Sequence, residues 1–143
     1  MRTENDPVGE AGLRFFGKIS ATVSHEIKNG LAVINENAGL LQDLLLMAER
    51  GRPLDPARVK SIAERVLDRV ARADLVVRNL NRFAHQVDDP AAAVDLLETL
   101  TLMVALTGRL TANRGKRVRI VPPEPAVRVT TNPFALPIGR AHV

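Results

Sequence analysis

The chain has 143 residues, a size that fits one domain, or one domain and a fragment of another. It is 45% hydrophobic but only 3% aromatic, with four Phe and no Trp, Tyr or Cys. That leaves a Leu/Val/Ile/Ala core suited to helix packing, excludes disulfide frameworks and thiolate metal sites, and disfavours aromatic stacking of single-stranded nucleic acid. The net charge of +4 is spread along the chain, and its densest patch, Arg114, Lys116, Arg117 and Arg119, reads as solvated surface rather than a nucleic-acid footprint.

Residues 1–12 read as a polar N-terminal linker, with none of the charge and apolar layout of a signal peptide. No apolar run approaches the ~18–20 residues needed to span a bilayer. The expected setting is cytoplasmic, with no membrane segment.

From about Glu10 to Arg50, Phe16, Ile19, Val23, Ile27, Ile34, Ala38, Leu41, Leu45 and Ala48 form an apolar stripe at helical spacing. Gly30 interrupts the stripe, at a cost of roughly 1 kcal/mol relative to Ala. Gly51-Arg52-Pro53-Leu54-Asp55-Pro56 is a breaker, with Gly51 ending one helix and Asp55 capping the next ahead of Pro56.

The second helix is expected from about Pro56 to Gln86, ended by Asp88-Asp89-Pro90. Val59, Ala63, Val66, Val70, Ala73, Val77, Leu80, Ala84 and Val87 recur there with alternating gaps of four and three, a heptad seam. So short a loop makes the two helices antiparallel neighbours. A lone hairpin cannot cover both stripes, so a homodimer forming a four-helix bundle across a two-fold axis is expected.

After Pro90, Val94, Leu97, Leu100, Val104 and Leu110 suggest a third helix over about Ala92 to Asn113. Val118-Arg119-Ile120-Val121 alternates as a short strand, and Val127-Arg128-Val129 reads as a second. Thr131-Asn132-Pro133 opens a further helix. The fold class expected is therefore mainly α: an antiparallel helical hairpin over residues 13–89, dimerising into a four-helix bundle. An incomplete α/β fragment over 90–143 follows it.

The chemistry concentrates in Ser24-His25-Glu26-Ile27-Lys28-Asn29. His25 lies two residues from Val23 and two from Ile27, and two residues are ~200° of helical rotation, so its imidazole is expected to face water. Glu26 is a candidate acceptor for the Nδ1 proton, leaving Nε2 as the nucleophile. Asn29, four residues on, shares the face of His25 and suits the orienting of a water or a phosphoryl oxygen. A metalloprotease helix needs a second His where Asn29 stands, and His85 and His142 lie far off at a helix end and in the tail, so no metal site is expected.

This segment, followed by Leu31-Ala32-Val33-Ile34, resembles the H-box of bacterial two-component sensor histidine kinases. The likeness covers roughly residues 13–88 and includes the hairpin of that family's dimerisation and histidine-phosphotransfer domain. Residues 94–136 resemble the first helix and strands of the family's ATP-binding domain. The resemblance implies a protein-histidine kinase fragment in which His25 accepts the γ-phosphoryl of ATP and passes it to an aspartate of a response-regulator receiver domain. It implies that Glu26 assists as a base, and that Asn29 holds the attacking water when the regulator is dephosphorylated.

Ala21, Lys28 and Ala32 would line the docking surface. Many members have a kink-promoting Pro where this chain has Gly30. The boxes that hold ATP and Mg²⁺ in the full-length enzyme come after Val143, so neither is expected to bind this chain, which should be inactive alone. Two other readings are an ATP-independent phosphorelay phosphotransferase and a structural dimerisation module in which His25 is incidental.

Overall fold

A computed structural model of the chain describes residues 7–86, 91–112 and 114–139, with the side chains of 7–9, 110, 138 and 139 left out. Expectations for Val87, the Asp88-Asp89-Pro90 stop, Asn113, the side chain of Leu110 and His142 lie outside the described residues. The protein is mainly helical: two long helices in a hairpin, α1 (Pro7–Glu49) and α2 (Pro56–His85), precede β1 (Ala92–Asp95), α3 (Leu96–Ala112), β2 (Arg128–Thr131) and α4 (Ala135–Gly139).

Helix α1 starts earlier than the linker reading allowed, because Pro7 is tolerated in a first turn where its missing N–H has no partner to lose. It then runs without a break through Gly30. Its end is a Schellman motif: Gly51 takes φ +81°, its N–H donates to Ala48 O at 3.0 Å, and Arg52 N–H donates to Met47 O at 3.1 Å. Asp55 caps α2 as expected, its Oδ1 accepting from Ala57 N–H at 2.9 Å.

On α2 most of the expected seam is half-buried, at Val59, Ala63, Val66, Ala73, Leu80 and Ala84, but Val70 and Val77 are 49% and 39% exposed, and the residues buried outright are Ile62 and Phe83. Two apolar ridges run side by side on this helix, and the one carrying the bulkier Ile62 and Phe83 removes more apolar area from water. On α1, Ile19 and Val23 are buried as expected, but Ala38 and Leu45 are exposed, and the most buried residue between Gly30 and Ala48 is Asn37.

Beyond the hairpin, the third helix starts later than expected. Ala92–Asp95 is a strand, paired antiparallel with β2 from Ala92↔Thr131 to Asp95↔Arg128. Asp95 then caps α3, its Oδ1 accepting from Leu97 N–H at 2.8 Å. Val118–Val121, expected as a strand, is irregular and its valines are exposed, because the segment leads into Pro122-Pro123, whose nitrogens cannot donate to a ladder. The second strand forms one residue later than expected. Asn132 opens α4 as anticipated, its Oδ1 accepting from Phe134 and Ala135 N–H, both at 2.9 Å.

The chain divides into two compact units, Ser24–Val76 and the remainder, Met1–Val23 with Val77–Val143. The second unit holds nearly all of the core: Ile19, Val23, Phe83, Val94, Leu102 and Leu106. Phe83 is its centre. Phe15 meets it edge-on at 5.9 Å between centroids, Phe16 stacks at 6.0 Å and Phe134 lies tilted at 5.4 Å, which gathers all four phenylalanines of the chain. In the Ser24–Val76 unit, Ile62 is the one buried apolar residue. Among the described residues, no helix is long and apolar enough to cross a membrane.

Candidate functional site

The segment Ser24–Asn29 lies within α1, so its side chains are spaced by helix geometry. His25 is exposed, as its spacing from the buried Val23 and half-buried Ile27 required. Asn29 is exposed one turn further along the same face, where positions four apart become neighbours. Lys28, Ala21 and Ala32 are exposed as well. Ring nitrogens at the surface of a rigid helix can meet a docked partner without any rearrangement of the core.

Glu26 sits differently. It is half-buried, and no hydrogen bond or ion pair joins it to His25. Successive helix positions diverge by ~100°, so adjacency in sequence does not bring the two side chains together. In this arrangement Glu26 does not hold the Nδ1 proton of His25.

His85 lies in the last turn of α2. Among the described residues, no three His, Cys, Asp or Glu side chains gather closely enough to hold a metal ion. Two pockets lie in the unit built around Phe83. One, of about 260 Å³, is apolar and includes Phe15, Leu96, Leu100, Met103 and Leu136. The other is polar, with Arg82, Asp95 and Glu98 on its walls, and Arg82 is already paired to Glu98 at 2.9 Å.

Neither pocket suits a triphosphate. The first offers no cation, and the second carries two carboxylates beside its one guanidinium.

Sequence reading missed two features. The Phe83 cluster is invisible because its members are far apart in the chain. Asn37 was detectable as a polar residue three and four positions from Ile34 and Val33, but only an apolar stripe was sought. Compared with known proteins, the chain matches no family and no curated sequence.

Proposed function

We propose that this chain is the dimerisation and phosphoacceptor part of a sensor histidine kinase, with His25 as the residue that carries the phosphoryl group. The observation that carries this reading is the exposed His25–Asn29 pair on one face of an uninterrupted helix in a two-helix hairpin. Nε2 of His25 attacks the phosphorus of a donor supplied by another protein or domain, and the donor's P–O bond breaks, its oxygen leaving with the bonding pair. Glu26 relieves Nδ1 of its proton as the N–P bond forms, reaching the ring by a change of rotamer. Asn29 positions the water that later hydrolyses the phosphorylated receiver. Ala21, Lys28 and Ala32 face the docked receiver domain.

A homodimer belongs to this reading. The Ser24–Val76 unit buries one large apolar side chain while Leu31, Leu45, Leu46, Met47, Leu67, Val70 and Leu75 stay exposed. That much uncovered apolar surface marks an association site. A second copy laid against these ridges completes a four-helix bundle.

Incubation with phosphorylated receiver domains tests the assignment. The chain is expected to take up label by back-transfer, and Asn29→Ala to keep that uptake while losing receiver dephosphorylation. Absence of any uptake across a broad panel of receivers counts against the reading. In sedimentation equilibrium the chain should run at twice its monomer mass, and Leu67→Glu with Val70→Glu should run as a monomer.

A further inference from the structure

Within the Ser24–Val76 unit, the least exposed positions of the hairpin include two polar residues, Asn37 and Arg69. On α1 the inward ridge runs through Gly30, Val33, Asn37, Leu40 and Leu44, and on α2 through Val59, Ile62, Val66, Arg69 and Ala73, with gaps alternating between three and four. Leu31, Ala38 and Leu45 on α1 and Leu67 and Val70 on α2 lie beside these ridges and are exposed.

Asn37 is only 3% exposed. Its Nδ2 donates to Val33 O at 2.7 Å, which fixes the amide orientation, since a flipped amide would set oxygen against that carbonyl. Oδ1 is then buried with no partner, and a buried acceptor left unmet is costly.

We propose that Asn37 and Arg69 form a polar layer that fixes which ridges of α1 and α2 face each other, the Arg69 guanidinium being the donor that Asn37 Oδ1 lacks. Counted inward from the helix ends Glu49 and Pro56, Leu44 falls within a residue of the level of Ile62, Leu40 of Val66, Asn37 of Arg69 and Val33 of Ala73.

Its present partner holds it weakly. Arg69 Nε lies 4.0 Å from Asp68 Oδ2, at the limit of an ion pair. A guanidinium carries five donors, enough to serve Asn37 and keep one contact to Asp68. Leu, Ile and Val are interchangeable between ridges and cannot choose a rotational phase, whereas a matched polar pair penalises every other phase.

The chain has no cysteine, so engineered pairs report cleanly. Leu40→Cys with Val66→Cys marks the inward ridges, and Ala38→Cys with Leu67→Cys marks the outer ones. In the otherwise unchanged full chain, only the first pair should close within one chain. With Asn37→Leu and Arg69→Leu together, the second pair should close as well.

Thermal unfolding of the uncrosslinked chains gives an independent cycle. Each single leucine variant should lower the midpoint by about 4–8 °C by stranding its partner, and the double variant should recover that loss. Losses that simply add, a double variant less stable than either single one, or an outer pair that stays open in the double variant each overturn the proposal.

Discussion

His25, Glu26 and Asn29 are close in sequence, yet the helix gives them distinct environments. His25 and Asn29 share the wet face and Glu26 is half-buried. The first two placements were legible because the apolar neighbours Val23 and Ile27 fix the phase of the helix at that point. The third was not, because adjacency in sequence was taken for adjacency in space. Gly30 invites a test at the same scale. A Cβ built there meets nothing within 4 Å, and the helix passes through it unbroken. Gly30→Ala should stabilise the fold by about 0.5–1 kcal/mol, through the helix propensity of Ala and the reduced freedom of the unfolded chain. Urea unfolding checks this, and a loss of stability would show that the site needs the freedom of glycine.

At the scale of elements, the hairpin was readable because its punctuation is chemical. Gly51 supplies a positive φ and Asp55 a capping carboxylate, and both act as their residue types dictate. Asp55→Ala should cost ~1 kcal/mol. Gly51→Ala, which forces a side chain into the left-handed region, should cost about 1 kcal/mol or more. Both are measurable as shifts in urea midpoint at constant slope. The third helix was misjudged at its start because Ala91-Ala92-Ala93 favours helix locally, while pairing with Arg128–Thr131 decides for strand. Val118–Val121 failed in the other direction. Its alternation is real, but no strand lies beside it and prolines follow. The choice of ridge on α2 was out of reach for the same reason. Periodicity shows that two ridges exist, and only packing shows which one turns inward.

On the scale of the whole molecule, the core is unevenly distributed. The unit that contains the helix roots and the small sheet is organised on Phe83, which is fully buried and meets the three other phenylalanines. Phe83→Ala should cost about 3–5 kcal/mol, seen as a large drop in the denaturant midpoint. The Ser24–Val76 unit has a single buried apolar residue, and in the proposed dimer a second copy supplies the rest of its core. Its unfolding should therefore shift to higher temperature as protein concentration rises. That unit also carries the exposed imidazole on which the functional account rests. Tandem mass spectrometry of the chain after exposure to phosphorylated receiver domains, beside His25→Gln of equal helicity, tests it most directly. The account predicts one acid-labile, alkali-stable phosphoryl group on His25 and none on the variant; a phosphoryl group mapped to His85 or His142, or one that persists in the variant, would contradict it.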